Sequence, residues 1–293
     1  MSLAAAGTAA AAALLLLPRP PPAEAPAIVA APTLAAAIAR VLETGGATRD
    51  AGGAAGLAPR VAPIVLGVGE LHQTNATAGI PSSLARFTGE VWPLLAGRAS
   101  DLIVETWVTD GACGRAATAT VAKVEKTTER PAATESEIVT LLARARASGA
   151  RPHILTVSCD DYRLLSPGGT ARPLDFQRML ALIQRKLAAQ VTAVLASRPA
   201  RDADKLLVVY GGALHNDLHP DPLLAPFSYG VPAYRNTLAR YRELDLYVPE
   251  YLERAAAMQK EPWFPLWRSA AKSGQVTLIQ RSRDSFVLVL PAS

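Results

Sequence analysis

Two cysteines in 293 residues, Cys113 and Cys159, with no Cys-x-x-Cys spacing, cannot build a zinc site on their own. They leave two readings open: a disulfide if the protein is exported, or two buried thiols. Aromatic residues are scarce at 5%, which leaves little for stacking on bases. The net charge is +5, but no basic cluster accompanies it. Arginines are scattered along the chain with acids beside them, as in Arg240-Tyr241-Arg242-Glu243, and read as a mildly basic solvated surface. Nucleic acid is therefore not an expected partner. No Gly-x-Gly-x-x-Gly follows a strand pattern and no P-loop is present, so no nucleotide cofactor is expected.

Long apolar runs are missing as well. The longest opens the chain, from Leu3 to Leu17, shorter than the roughly 20 residues that span a bilayer as a helix. Ala23-Glu24-Ala25 has the small-x-small form of a cleavage site, so residues 1–26 read as a secretory leader. The other reading is an Ala/Pro-rich tail without fixed structure. No cysteine follows the run, so a lipoprotein anchor is not expected.

What is present is a globular pattern. Half of the residues are hydrophobic, enough for a large core. Residues 27–60 hold a Thr33-capped amphipathic helix, stopped by Gly45-Gly46, and a Gly/Ala linker. Residues 61–293 read as one α/β domain. Short continuous apolar runs at 61–68, 101–104, 153–157 and 206–210 have the pattern of strands buried on both faces. Helical patterns at 82–95, 135–148 and 174–197 separate them. That alternation predicts a mostly parallel central sheet flanked by helices. Residues 276–280 and 286–290 predict an antiparallel hairpin closing its edge. Residues 220–247, rich in Pro, Tyr and Leu, read as a long loop, either at the surface or folded over a pocket. Trp263 and Trp267 read as packing at a core edge.

Ligands bind open parallel sheets at the carboxyl ends of the strands, and there the chemistry-bearing residues gather. Gly69-Glu70-Leu71-His72 follows the first strand, Glu105 ends the second, and Gly212-Ala213-Leu214-His215 follows the fourth. Glu and His two apart in extended chain share a face. A carboxylate closing a buried strand is unfavourable unless it is paired or metal-bound. Each of these residues alone is commonly a cap or an ion-pair partner; their coincidence at one sheet edge predicts a mixed carboxylate–imidazole site. Glu70, His72, Glu105 and His215 are the expected catalytic residues and the expected ligands of Mn²⁺, Fe²⁺, Co²⁺ or Zn²⁺. Asp160 and Asp161 read as helix caps, His153 as structural, and His219 as a weaker ligand than His215.

The two Gly-x-x-His motifs with a glutamate between them resemble the superfamily of the Tiki proteases, the TraB/GumN proteins, the erythromycin esterases and the ChaN haem-binding lipoproteins. Glu inside the first motif is closest to the ChaN and esterase branches. The resemblance implies His72 and His215 as paired histidines and Glu70 and Glu105 as groups that bind metal or activate water. It implies metal-dependent hydrolysis of a peptide or ester, acting on a peptide or small molecule. In the ChaN branch it implies instead a haem cleft, with His215 as axial ligand and Tyr210, Tyr229 or Tyr247 contributing. A third reading is a non-catalytic domain with a buried polar network.

Overall fold

Continuous apolar strands need cover on both faces, and the chain supplies it with helices from every crossover. The computed structural model describes residues 18–20, 22–43, 61–110, 113–165, 174–271 and 274–293. The leader's apolar run, Gly45-Gly46 and the 47–60 linker lie outside them. The strands are β1 (Ala27–Val29), β2 (Val65–Glu70), β3 (Ala99–Asp110), β4 (Arg151–Ser158), β5 (Leu206–Gly212), β6 (Tyr241–Tyr247), β7 (Thr277–Ser282) and β8 (Ser285–Val289). They form one sheet in the order β1-β7-β8-β6-β2-β5-β3-β4. From β4 to β8 every pairing is parallel; β7 is antiparallel to β8, and β1 to β7. The fold is α/β, as the alternation predicts, with the tail hairpin in place.

Alternation within β5 divides the core. Leu206, Val208 and Tyr210 enter one apolar cluster, and Leu207 and Val209 enter another on the opposite face. The first face is covered by α1 (Leu34–Leu42), α2 (Ser83–Arg86), α3 (Trp92–Leu95) and, after α4 (Gly114–Thr128), by α5 (Ala133–Ala147). The Thr33 hydroxyl caps α1 by accepting from the Ala36 amide at 3.1 Å. Between α2 and α3 the expected single helix widens to a π turn over Phe87–Val91. Pro93 has no N–H to give the carbonyl four residues back, which breaks the regular ladder here. The second face is covered by α6 (Cys159–Leu165), α7 (Phe176–Ser197) and, beyond the short α8 (Ala213–Asn216), by α9 (Gly230–Asn236). By length and composition α7 could cross a membrane, but here it lays Met179, Leu182, Ile183 and Leu187 onto the sheet.

Two expectations are corrected. Residues 220–247 are not one long loop: they contain α9 and the inner strand β6. The Arg240–Glu243 stretch is not solvated surface, since Arg242 is 1% exposed and Glu243 fully buried. β6 escapes the apolar-run criterion because charged residues alternate with apolar ones, yet both of its faces are covered. Of the two expected capping groups, Asp161 completes a box with Ser158, its carboxylate accepting from the Ser158 amide at 2.9 Å and its own amide donating to the Ser158 hydroxyl at 3.2 Å, whereas Asp160 pairs with Arg163 at the surface. His153 is structural, 2.9 Å from Asp101 Oδ1. Trp263 stacks on Tyr247, their ring centroids 5.4 Å apart.

The cysteines form a disulfide, Cys113–Cys159, which ties the start of α4 to the start of α6 across 46 residues of chain. Closing a loop of that length in the unfolded chain stabilises a fold by about 2–4 kcal/mol. Treating the protein with dithiothreitol is expected to lower its unfolding free energy by that amount. Amide exchange should then speed up first in Gly114–Thr128. Equal exchange of α4 in both redox states would refute this anchoring role.

Candidate functional site

β2 lies at the switch point of the sheet, because the chain leaves it toward β3 on one side and later returns to β6 on the other. The crevice at its carboxyl end opens into a cavity of about 610 Å³. All four predicted residues line it: Glu70 ending β2, His72 just beyond, Glu105 from β3 and His215 from α8.

Glu105 points here because β3 bulges. In the pairing with β4, Val104 faces Ile154 and Trp107 faces Leu155, so Glu105 and Thr106 have no partner residue. The strand facing Glu105 carries Gly211 and Gly212, and their lack of side chains gives the room. A Cβ on Gly211 would collide with the Glu105 carboxylate, and one on Gly212 would stand 2.9 Å from His72 Nε2. The Gly212 amide also donates to Glu105 Oε2 at 2.7 Å.

Hydrogen-bond partners fix both imidazoles. His72 Nδ1 lies 2.7 Å from Glu70 Oε1, and the Arg130 Nη2 donates to His72 Nε2 at 2.6 Å. A guanidinium can only donate, so Nε2 carries the lone pair and Nδ1 the proton. His215 Nδ1 donates to the Phe227 carbonyl at 2.7 Å, which leaves its Nε2 facing Glu105. Glu105 Oε1 stands between the two lone pairs, 3.9 Å from His72 Nε2 and 3.8 Å from His215 Nε2. Burial pushes the Glu105 carboxyl up, but His215, His72, Arg130 and the Gly212 amide outweigh it and hold it below the ordinary glutamate value.

Glu70 lines the cavity with both carboxylate oxygens engaged. One of its oxygens is taken by His72 Nδ1, and the other accepts from the Tyr210 hydroxyl at 2.5 Å. It is thus also the partner that orients His72. Tyr210 is likewise a support under Glu70, 2% exposed, with its ring 4.5 Å from that of Phe87 and absent from the cavity wall. Tyr229 is buried edge-on to Tyr241; of the three tyrosines only Tyr247 lines the cavity. His219 lies elsewhere, bonded to Ser282 Oγ at 2.8 Å.

Among the described residues no group of three or more His, Cys, Asp or Glu side chains is placed to hold a metal ion. The donor chemistry nevertheless fits a transition ion. Two bonds of about 2.0–2.2 Å to one ion place donors roughly 3–4 Å apart, and Glu105 Oε1 has that spacing from both Nε2 atoms. Each imidazole already has an acceptor on its other nitrogen, which is the second layer that ligating histidines carry. Arg130 occupies the lone pair of His72 in their place.

Arg130 has no counterpart in the sequence reading. α4 ends at Glu129, whose left-handed backbone (φ 49°) turns the chain, and Pro131 prevents the helix from resuming. The Glu129 carbonyl accepts from the Asn75 amide at 2.8 Å, which docks this corner on the loop after β2. No local pattern announces such a long-range placement. Compared with known proteins, the chain matches no family model, no curated protein and no solved structure.

Proposed function

We propose that this protein is a metal-dependent hydrolase of an ester or peptide bond, working at the Glu105–His72–His215 cluster. The observation that carries the reading is the pair of imidazole Nε2 atoms flanking one carboxylate oxygen on the wall of a preformed cavity. His72 Nε2 and His215 Nε2 would hold the ion, with Glu105 Oε1 beside it. When bound, a divalent transition metal supplies Lewis acidity and makes water a nucleophile near neutral pH. Glu105 is the carboxylate of the cluster with an oxygen free of hydrogen bonds, so it takes the proton that water gives up. Glu70 keeps His72 in the tautomer that presents Nε2, and Tyr210 keeps Glu70 in place. The likeness of the two Gly-x-x-His motifs to the Tiki, erythromycin-esterase and ChaN superfamily supports the same assignment. A disulfide belongs to oxidising compartments, which agrees with export through the leader.

Elemental analysis of the purified chain beside the His72→Ala/His215→Ala variant tests this. Equimolar transition metal that the variant loses is the expected result. No bound metal after supplementation with Mn²⁺, Fe²⁺, Co²⁺ and Zn²⁺ would overturn it. The second reading, a haem-binding protein, is favoured by one observation: the free His215 Nε2 faces a cavity with mostly apolar walls. A Soret band lost in His215→Ala would replace the hydrolase with that reading.

A further inference from the structure

The cavity is polar on one side only. Its charged and imidazole groups sit together at the carboxyl edge of the sheet. The walls come from α4 and α7 and are apolar: Val121, Val124, Phe176, Met179, Leu180 and Ile183, with Glu125 and Thr128 of α4 as the exceptions. A volume near 610 Å³ corresponds to roughly 20 water-sized groups, water occupying about 30 Å³ each in the liquid. A chain of a dozen or so carbons with its head group fits within such a space. Phe176, 46% exposed, stands on the wall at an open rim.

Arg130 lines the same cavity and has unused capacity. Among the described residues no carboxylate lies within ion-pairing distance of it; its one partner is a neutral imidazole nitrogen. Its Nε is buried and without a hydrogen-bond partner. A guanidinium is a five-donor fork shaped for carboxylates, and a buried orphan donor is costly unless a ligand satisfies it. An ion on His72 Nε2 would also take the lone pair that Arg130 now uses, which frees Nη2.

We propose that the cavity takes a single-chain amphiphile, its alkyl chain along α4 and α7 and its carboxylate or ester head on Arg130. The substrate class is then a long-chain acyl ester, an extension that rests on the hydrolase reading, whereas carboxylate binding does not depend on it. Water adds to the acyl carbon, the acyl C–O bond breaks and the alcohol leaves with a proton. The fatty carboxylate remains with Arg130, and one proton is released to solvent.

The fluorescent fatty acid cis-parinarate, titrated into the full-length protein with and without Zn²⁺ or Mn²⁺, reports the site directly. Saturable enhancement, displaced by dodecanoate and by dodecanol, is expected. Arg130→Ala should weaken dodecanoate roughly 10–100-fold, the worth of a charge-assisted hydrogen bond, and leave dodecanol nearly unchanged. Arg130→Lys should recover part of the loss, and Val121→Trp, which fills the chain site, should abolish both. Absence of saturable binding, or equal losses for acid and alcohol in Arg130→Ala, would overturn the proposal. Turnover of p-nitrophenyl acetate without parinarate binding would sink the amphiphile site and leave the hydrolase. Parinarate binding without turnover of p-nitrophenyl dodecanoate would do the reverse.

Discussion

Replacing Glu105 by Gln is expected to reduce ester turnover by about 10²–10⁴-fold while the protein remains folded. The substitution is nearly isosteric. The Gln amide oxygen still accepts from the Gly212 N–H, so the bond that docks the carboxylate on β5 survives. What disappears is the ionised oxygen between His72 and His215. Glu70→Gln provides the contrast. Its amide can still accept from His72 Nδ1, but it no longer offers a charge to that imidazole. Weakening such an orienting partner typically costs 10–100-fold in metal affinity. Turnover of Glu70→Gln should therefore return at saturating metal, and that of Glu105→Gln should not. Steady-state rates across a metal titration distinguish the two. If Glu70→Gln stays inactive at saturating metal, the roles of the two glutamates are exchanged and the assignment fails.

The parts of this site legible in sequence are those produced by local rules. Four strands announce themselves as short apolar runs, and the residues immediately after β2 and β5 are where the crevice of a parallel sheet has to be. Both histidines were therefore found. The division of labour between Glu70 and Glu105 was not, because it depends on a bulge at Glu105 and on Tyr210 lying beneath Glu70. Neither leaves a mark within a few residues of the sequence. Arg130 reaches the cavity from just beyond the end of α4; the stripe Ala117, Val121 and Val124 marks a covering helix but carries no sign of where its end docks. β6 shows the same limitation in the core. Its alternating charges read as surface because the groups that neutralise them come from residues 281 and 284.

The charges of β6 hold the site's second histidine, so Arg281→Leu is expected to be the most damaging single change outside the cluster. Arg281 bonds Asp217 Oδ1 at 2.9 Å and Glu243 Oε1 at 2.5 Å, and stands 3.5 Å from Asp245 Oδ2. Glu243 in turn accepts from the Leu218 amide at 2.9 Å, and Asp245 accepts from Asn216 at 3.2 Å. These two bonds seat the chain immediately after His215. Removing one partner from a buried ion cluster typically costs 3–5 kcal/mol, because the opposite charges stay behind. The loss must also depend on pH. Burial raises Asp245 to about 6 from its ordinary 3.8 and raises Glu243 well above the usual range, even though Arg281 pulls both down. An acid whose folded value is raised binds more protons folded than unfolded, so this part of the stability falls as pH rises from about 4 to 6. Without Arg281 both acids move higher, and the fall continues to higher pH. Denaturant unfolding at pH 5 and pH 8 should therefore show a larger deficit for Arg281→Leu at pH 8. A deficit that is the same at both pH values would mean that the buried acids are not what Arg281 neutralises. In that case β6 would not be the element that fixes His215.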